Sequence, residues 1–479
     1  MKLLCKSYLI LILFSFNSFA QVKNNPNVVY VIVDQFRADA TGFNGNKDVI
    51  TPNLDKIAKH SVNLKNAISG MPVCTPYRAQ LMSGMYPIKT GVFMNDVMLD
   101  TNLTTLGKVY KNHGYNTGFI GKWHIDGHGR QSFIPKTRRQ GFEYWKTLEC
   151  THNYNDSHYY ANDSPIKRTW EGYDALAQSE DAANYIKAHA KQEKPFLLFV
   201  SLGPPHDPYQ TAPEKFRALY RNKTISINPN VPKAMHKKID FDLRGYYSHI
   251  TAIDAGIGEV WDAVQNAGIA DNTIFIFTSD HGDLMGAHGQ RYKQQPYNES
   301  IKIPFLISYP KLFGKNAKTS DMLLNSPDIM PTLLSLSNLP IPSGVQGKDL
   351  SGIMKGDHKD NTTASLISCL QPFGTWSKAS GGKEYRGVYT KTYTYVKDLD
   401  GPWLLFDNQK DPFQQNNLVG NPKYASQQKS LEKQLKNLLK ETNDDFKPGS
   451  FYIKKWNYTV DSTGTVPYTD KNYEGKVIR

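Results

Sequence analysis

The segment Val28-Val29-Tyr30-Val31-Ile32-Val33-Asp34-Gln35 decides the fold of this 479-residue chain. Its six apolar residues, most of them β-branched, follow one another without polar alternation, which is typical of a strand buried on both faces. Two polar residues come directly after them. Strands of this kind occur in sheets that helices cover on both sides, so the segment predicts an α/β protein.

Strand-like and helix-like segments alternate along most of the chain. This alternation predicts a large mixed, mostly parallel sheet flanked by helices. Further strands are predicted at 117–120, 196–202, 273–278 and 304–308, and helices at 103–113, 174–191, 244–267 and 328–337.

The composition changes near residues 340–356, which are rich in Pro, Gly and Ser. Beyond this stretch the pattern indicates short antiparallel strands at 385–397 and 403–407 and an exposed charged helix at 423–442. We therefore predict a main domain and a smaller C-terminal α+β subdomain, with bounds of 21–355 and 356–479.

The first twenty residues have the pattern of a signal peptide. Lys2 and Lys6 precede a short apolar run at 8–16, and Ser18-Phe19-Ala20 offers a small-residue cleavage point. The run is too short to span a bilayer, and no later segment is apolar for long enough to do so. We expect residues 1–20 to be removed and the protein to be exported, periplasmic or secreted, without a transmembrane segment.

The chain carries 57 basic and 44 acidic residues, a formal net charge of +13. Such a surplus favours solubility, and it also attracts anionic partners. Nucleic acid is not expected, because no cluster of Lys and Arg is interleaved with aromatic residues. A sulfated polymer fits the charge equally well, so charge alone leaves the partner open.

Four polar clusters each follow a predicted strand. The carboxyl ends of parallel strands converge on one crevice in an open α/β sheet, so these clusters are expected to face one pocket. Two of their residues, Asp34 and Asp280, are hard oxygen donors that suit calcium or magnesium. The clusters are Asp34-Gln35, Lys122-Trp123-His124, His206 and Asp280-His281.

Three cysteines remain after the leader, Cys74, Cys150 and Cys369, and three cannot all pair. Cys150 and Cys369 are compatible with two free thiols or with one disulfide. Cys74 lies in Cys74-Thr75-Pro76-Tyr77-Arg78, where the proline suits the first turn of a helix. Position 74 is therefore expected at a helix N-terminus, where backbone N–H groups favour an anion.

Here the sequence resembles the sulfatases. Their signature, Cys-x-Pro-x-Arg, is present at Cys74–Arg78 and continues as Ala79-Gln80-Leu81-Met82-Ser83-Gly84. The resemblance extends from about residue 28 to 418 and implies an alkaline-phosphatase-like fold. Its other motifs, in order, are Val33-Asp34-Gln35-Phe36-Arg37, Gly121-Lys122-Trp123-His124, Pro204-Pro205-His206, Ser279-Asp280-His281-Gly282-Asp283 and Leu405-Phe406-Asp407 with Asp411-Pro412 and Asn417-Leu418.

The resemblance implies that a maturation enzyme oxidises Cys74 to formylglycine (3-oxoalanine) before the protein folds. One hydroxyl of the hydrated aldehyde attacks sulfur, and the second is deprotonated when sulfate is expelled. It also implies one divalent metal, with calcium favoured over magnesium, bound by Asp34, Gln35, Cys74, Asp280 and His281. Gln35 and His281 stand where many relatives have Asp and Asn, which changes the charge and the softness of the site.

The remaining site residues implied by the resemblance are basic. Arg78 pairs with the formylglycine hydroxyl and the metal cluster, while Lys122 and Lys293 bind sulfate oxygens. One such donor contributes about 3–4 kcal/mol of barrier lowering. His124 is the expected base for the elimination step, and His206 is expected to bind sulfate or protonate the leaving group.

The resulting hypothesis is an exported sulfatase that acts on a carbohydrate. The substrate is a sulfated polysaccharide or its oligosaccharides: an algal polymer such as ulvan or a sulfated galactan, or a glycosaminoglycan. The alternatives are a phosphonate or phosphodiester hydrolase with the same nucleophile, and a noncatalytic binder of sulfated glycans. Six further residues could contact a sugar, although we expect ordinary exposed side chains: Arg130, Arg138, Arg139, His152, His158 and Trp376.

Overall fold

A computed structural model describes residues 25–468 of the chain. The predicted signal peptide, residues 1–20, lies outside the described residues. Two sheets organise the rest, a ten-stranded sheet and a four-stranded sheet near the C-terminus.

Fourteen strands form the two sheets in the described part of the chain. In order they are β1 (Asn27–Val33), β2 (Val62–Ile68), β3 (Asn116–Lys122), β4 (Tyr144–Leu148), β5 (His158–Ala161), β6 (Lys167–Thr169), β7 (Phe196–Leu202), β8 (Thr273–Ser279), β9 (Phe305–Ser308), β10 (Lys318–Asn325), β11 (Ser365–Cys369), β12 (Tyr385–Tyr389), β13 (Tyr393–Asp398) and β14 (Gly401–Asp407).

Thirteen α-helices connect and cover these strands within residues 25–468. They are α1 (Pro52–Ala58), α2 (Cys74–Ser83), α3 (Pro87–Thr90), α4 (Leu106–Asn112), α5 (Asp174–His189), α6 (Glu214–Arg217), α7 (His236–Asn266), α8 (Asn298–Ile301), α9 (Pro310–Phe313), α10 (Ile329–Leu336), α11 (Ser351–Lys355), α12 (Ala425–Thr442) and α13 (Gly449–Lys455).

The large sheet is mixed and mostly parallel, as predicted. Its order is β10-β2-β9-β8-β1-β7-β3-β4-β5-β6. The five central strands from β8 to β4 all run parallel, whereas β9 runs antiparallel to β8 and to β2. The strand predicted at 304–308 therefore exists but has the opposite direction to its neighbour.

The unbroken apolar run of β1 is explained by packing on both faces. Val28, Tyr30 and Ile32 point into one core cluster, and the alternate residues of the strand, beginning at Val29, point into another. Both layers are buried, because helices cover the sheet on each side. The sequence pattern that predicted a doubly covered strand is confirmed.

The helical layer contains a close approach at a glycine. Helices α5 and α7 pack against each other, and a Cβ on Gly256 of α7 would lie 2.5 Å from Ser179 Oγ of α5. Only glycine permits this contact. The helix predicted at 244–267 begins eight residues earlier, at His236. The sequence did not indicate this start because the added residues are mostly polar, and only Ile239, Asp242 and Leu243 among them are buried.

The C-terminal sheet has the order β11-β12-β13-β14 and is antiparallel throughout. Helix α12 packs on it through Leu431, Leu435 and Leu438, so the prediction of an exposed helix is wrong for this face. The opposite face shares a core with the large sheet, in which Ile68 and Tyr385 take part. None of the helices formed by residues 25–468 combines the length and the apolar character that a membrane span requires.

Candidate active site

The carboxyl ends of four adjacent parallel strands, β8, β1, β7 and β3, form one edge of the large sheet. Asp280 and His281 follow β8, Asp34 and Gln35 follow β1, His206 lies in the loop after β7, and Lys122 ends β3. This arrangement brings the four polar clusters to one crevice. Nine of the ten predicted site residues are joined there by direct contacts: Asp34, Gln35, Cys74, Arg78, Lys122, His206, Asp280, His281 and Lys293.

Cys74 is the first residue of α2 and is buried. The N-cap residue, Val73, makes no side-chain hydrogen bond to the helix, but the N–H of Thr75 donates to Asn95 Oδ1 at 3.1 Å. The Cys74 side chain therefore lies where the N-terminal N–H groups and the helix dipole stabilise negative charge. Every residue of α2 is buried, so the helix is fixed on all sides.

Three polar side chains surround the sulfur of Cys74. Lys293 Nζ lies 3.0 Å from Sγ, His281 Nε2 lies 3.2 Å away, and Asp34 Oδ1 lies 3.5 Å away. Burial and the charge of Asp34 raise the pKa of the thiol to about 12, so it is protonated at neutral pH. In a formylglycine form of the residue, an oxygen would stand near the place of this sulfur.

A group of potential metal ligands surrounds this point. One ligand atom each from Asp34, Cys74, Asp280 and His281 lies within 4.8 Å of the others, and all four residues are buried. Each carboxylate turns its Oδ2 toward cations and its Oδ1 toward His281 Nε2, which is 3.6 Å from both Oδ1 atoms. The inward-facing atoms are therefore mainly electron-pair donors.

The tautomer of His281 strengthens this assignment. Its Nδ1 lies 2.8 Å from the carbonyl oxygen of Gly282, which can only accept, so Nδ1 carries the proton. Burial and the nearby Lys293 lower the pKa of His281 well below its usual range, which keeps the imidazole neutral. Its Nε2 lone pair then faces two carboxylate oxygens, an arrangement that a cation between them stabilises.

Gln35 adds a carbonyl oxygen to the same group. Its Nε2 donates to Asp283 Oδ2 at 2.7 Å, which fixes the amide orientation, and its Oε1 accepts from Lys293 at 3.1 Å. The Gln35 backbone has a positive φ of 66°, and its N–H donates to Asp280 Oδ1 at 3.0 Å. Two carboxylates and an amide oxygen beside one imidazole fit a divalent cation that prefers oxygen.

Two buried cations hold the carboxylates. Arg78 Nη2 contacts Asp280 Oδ2 at 3.2 Å and Asp34 Oδ2 at 3.4 Å, and its Nη1 donates to Ser201 Oγ at 2.7 Å. Lys122 Nζ lies 2.6 Å from Asp34 Oδ2. Burial alone would raise the pKa of Asp34, but Lys122 and the neighbouring cations outweigh it and hold the pKa well below its usual range.

Lys293 lies at the centre of the crevice. Besides Cys74 and Gln35 it contacts His206, whose Nε2 is 3.0 Å from Nζ. A lysine ammonium can only donate, so His206 Nε2 accepts and its Nδ1 faces Asp207 at 3.0 Å. Burial and Lys293 lower the pKa of His206 and keep it neutral.

His124 lies to one side of this network and contacts Asp96 instead, with Nε2 at 3.5 Å from Oδ1. Among the described residues neither ring nitrogen of His124 has a hydrogen-bond partner. Both residues adopt a positive φ, 58° for His124 and 63° for Asp96. Strain of this kind is concentrated at functional sites. Burial and Lys122 lower the pKa of His124 well below its usual range.

Three further residues of the site were not predicted to belong to it. Asp96 lies in an irregular loop, and Ser201 within β7 looks like an ordinary strand residue. Asp283 belongs to a predicted motif, yet only the structure shows that it orients Gln35 and accepts from Tyr209 at 2.5 Å. Ser201 and Asp283 support predicted residues by hydrogen bonds, and Asp96 lies in contact with His124.

The six residues considered for sugar contact differ from the expected exposed side chains. Arg139 and Trp376 are buried, and the other four are partly buried. Arg130 pairs with Asp96, and the His152 ring stacks on His206 with centroids 4.4 Å apart. Cys150 and Cys369 are free and buried, so they do not form a disulfide.

The fold and the site together define a hydrolase of the alkaline-phosphatase-like superfamily, with a group of potential metal ligands around Cys74. The sulfatase family matches residues 26–339, and residues 286–441 match the C-terminal region of N-sulphoglucosamine sulphohydrolase. The chain belongs to the sulfatase family, and it is an enzyme of the sulfuric ester hydrolase class.

Similar proteins cover almost the whole chain. An ulvan-active sulfatase of Formosa agariphila is 43% identical over 93% of this chain and 88% of its own length. An endo-4-O-sulfatase of Bacteroides thetaiotaomicron is 31% identical over 89% of this chain and 94% of its own length. The crystal structure of a sulfatase from Bacteroides fragilis, 31% identical, superposes with a TM-score of 0.80 over 90% of this chain and 98% of that one.

Proposed function

We propose that this sulfatase is exported and removes sulfate from a polysaccharide or its oligosaccharides, using formylglycine made from Cys74 and one divalent metal. The observation that carries the proposal is the position of Cys74. It lies at the start of a buried helix, within 3.5 Å of Lys293, His281 and Asp34.

An unmodified thiol is poorly suited to this chemistry. With a pKa raised to about 12 by burial and Asp34, it is almost entirely protonated at neutral pH, and the thiol form is a weak nucleophile. A hydrated aldehyde at this position supplies two hydroxyl groups on one carbon, one to attack sulfur and one whose deprotonation releases sulfate. Because Cys74 is 1% exposed, a maturation enzyme would have to act before folding.

The metal would be held by Asp34, Gln35, Asp280 and His281 together with the modified residue 74. When bound, a divalent cation supplies a Lewis acid that makes an oxygen nucleophile available at neutral pH. Calcium is the proposed metal, because oxygen donors outnumber the single nitrogen.

The remaining cations stabilise charge. Arg78 fixes the two metal-site carboxylates through its contacts to both Oδ2 atoms, and Lys122 does the same for Asp34. Lys293 is within hydrogen-bond distance of position 74, so its ammonium can also contact a sulfate group placed there. Such preorganised donors act most strongly where charge develops on the sulfate oxygens during S–O cleavage.

Two histidines take part in the proton transfers. His206 Nε2 accepts a hydrogen bond from Lys293, so it holds the ammonium whose proton passes to the oxygen of the leaving alcohol, and Lys293 is left as the neutral amine. His124 is the base for the elimination step: both of its ring nitrogens are without a hydrogen-bond partner among the described residues, and Asp96 Oδ1 lies 3.5 Å from Nε2. Asp96 then stabilises the imidazolium that forms.

The substrate class rests on the relatives and on charge. One relative is named for activity on ulvan and another for endo-4-O-sulfatase activity. The formal net charge is +13 for the whole chain and +11 without residues 1–20, which carry Lys2 and Lys6 and no acid, and a positive charge of this size suits a polyanionic substrate. A sulfated polysaccharide is therefore the proposed substrate, with ulvan as the first polymer to test. Export through residues 1–20 and a division into 21–355 and 356–479 remain part of this proposal.

The test begins with expression of the protein together with a formylglycine-generating enzyme. Mass spectrometry of the peptide that contains residue 74 should show the aldehyde, and ion chromatography should detect sulfate released from ulvan or another sulfated glycan. Cys74→Ala should fold but release none. An unmodified thiol in an active preparation, or faster turnover of phosphate esters, would overturn the proposal.

A further inference from the structure

The chain returns to the main domain after α13. Along residues 456–468, the Tyr458 hydroxyl donates to the Gly91 carbonyl oxygen at 2.7 Å, and Val466 is buried. Tyr468 follows two residues after Val466 along the same segment. The Cζ atom of Arg130 lies 3.7 Å from the centre of the Tyr468 ring, which is a cation–π contact.

Tyr468 and Arg130 belong to the wall of an open cleft of about 580 Å³, together with Thr151, His152 and Asn153. The Tyr468 side chain is 46% exposed. None of the described residues that line the cleft is acidic. The cleft therefore combines an exposed aromatic ring, one cation and neutral hydrogen-bonding groups.

Two contact paths connect this cleft to the reaction site. The His152 ring stacks on His206, which in turn contacts Lys293 beside position 74. On the other path, Arg130 forms a two-point ion pair with Asp96, at 2.8 Å for both contacts, and Asp96 faces His124. A group bound in the cleft would lie next to the groups that handle the sulfate ester.

The Arg130 guanidinium is held in place and still has an N–H group that can donate to a ligand. Arg130 uses Nε and Nη2 for Asp96, and no hydrogen bond from its Nη1 to another described residue is found. Because Asp96 and Tyr468 fix the guanidinium plane, little conformational entropy is lost when a ligand accepts from it. A carboxylate or sulfate oxygen is the strongest acceptor for such a donor.

The aromatic ring suits the body of a sugar. The C–H face of a pyranose ring is apolar and packs on an aromatic surface, while its hydroxyl groups reach polar neighbours such as Thr151 and Asn153. A small aryl sulfate carries no second sugar unit that could occupy this cleft.

We infer that this cleft is a subsite for an acidic saccharide unit joined to the sulfated sugar, and that the C-terminal tail completes it through Tyr468. The inference rests on the proposed function, since it places the subsite beside the proposed reaction centre. It assigns Arg130 to the acidic group and Tyr468 to the sugar face.

The test compares kcat/KM for three sulfate esters: 4-nitrophenyl sulfate, a sulfated disaccharide whose second unit is a hexuronic acid, and the same disaccharide with a neutral hexose. Tyr468→Ala should lower the ratio of the acidic disaccharide to the aryl ester at least tenfold. Arg130→Gln should remove the preference for the acidic over the neutral disaccharide. Leu399→Ala, which truncates another exposed side chain (44% exposed), is the control and should change neither ratio.

Binding distinguishes this inference from the proposed function. Titration of Cys74→Ala with the acidic disaccharide, followed by NMR, should show binding that Tyr468→Ala weakens in the same background. Binding of this kind in a protein whose wild type releases no sulfate would support the cleft and overturn the proposed function. Sulfate release with unchanged ratios in Tyr468→Ala, or equal turnover of acidic and neutral disaccharides by wild type, would overturn the subsite.

Discussion

Lys293 makes more contacts with proposed site residues than its position in an irregular loop suggests. Its Nζ lies within 3.1 Å of Cys74, Gln35 and His206. We expect Lys293→Ala to lower kcat/KM for a sulfate ester by about 10²–10³-fold, the loss typical when one preorganised donor is removed. Steady-state kinetics on 4-nitrophenyl sulfate measure this change.

A matched control is available on the surface. Lys433 is an exposed residue of α12, and Lys433→Ala should leave kcat/KM within twofold of wild type. A Lys293→Ala enzyme that stays equally close to wild type would contradict the role of Lys293 in binding sulfate.

Asp174, the first residue of α5, is a buried acid away from the proposed reaction centre. Its Oδ1 has no hydrogen-bond partner among the described residues, and burial raises its pKa to about 7. The folded protein therefore holds this proton up to about pH 7, whereas an unfolded aspartate loses it near pH 4. The stability that Asp174 contributes is fully present below pH 4 and is lost as the pH rises to 7.

Asp174→Asn should remove this loss. At pH 8 the variant should be more stable than wild type by about 2–4 kcal/mol, and near pH 4 the difference should vanish. Thermal melting across pH 4–8 measures it. Glu180→Gln, an exposed change on the same helix, serves as control, and a melting difference for Asp174→Asn that does not depend on pH would contradict the argument.

Sequence motifs predicted the residues that combine a chemically distinctive side chain with a strand end, such as Asp34 and Asp280. Asp96 could not be predicted, because its importance arises from a fold that places a loop carboxylate beside His124 and Arg130. Lys293 was predicted, within the resemblance, from its spacing after Asp280. A single sequence does not reveal which lysine of a loop enters a crevice.

At the scale of elements, a buried ion pair ties the C-terminal sheet to its helices. Arg386 of β12 forms a two-point contact with Asp444, which follows α12, and the Tyr452 hydroxyl of α13 donates to the same carboxylate at 2.9 Å. Arg386→Met would leave that carboxylate buried without its cation. We expect a loss of about 3–5 kcal/mol in the free energy of unfolding of this region.

A second ion pair between the same sheet and α12 provides the comparison. Lys397 of β13 contacts Glu432 of α12 at 2.6 Å, but both side chains are partly exposed. Lys397→Met should cost about 1 kcal/mol or less. Urea unfolding measures both variants, and equal losses for Arg386→Met and Lys397→Met would show that burial does not decide the energy here.

Strands with a continuous apolar run could be predicted from the sequence, and strands without such a run could not. The doubly buried β1, β7 and β8 stand out as continuous apolar runs. Strand β2 interrupts its run with Asn63, Lys65 and Asn66, and β6 is fully exposed, so neither has a sheet pattern in the sequence. Their strand conformation is set by pairing with neighbouring strands.

At the scale of the whole molecule, the parallel sheet gathers like charges in one place. Asp34 and Asp280 directly follow adjacent parallel strands that end level with each other, because Val33 lies opposite Ser279. Burial and the charge of Asp34 raise the pKa of Asp280. The fold therefore contains a local repulsion that Arg78 and Lys122 relieve only in part, and a bound divalent cation would relieve it further.

Metal binding should consequently stabilise the folded protein, because the unfolded chain does not hold these ligands together. At a calcium concentration 100 times the dissociation constant the gain is about 2.7 kcal/mol. Differential scanning fluorimetry with and without a chelator should show a rise in Tm of a few degrees, larger with calcium than with magnesium. Asp280→Asn should abolish the calcium-dependent rise, whereas Asp271→Asn, which alters an exposed carboxylate, should keep it. A wild-type Tm that neither ion changes at millimolar concentration would contradict the proposed metal site independently of any assay of activity.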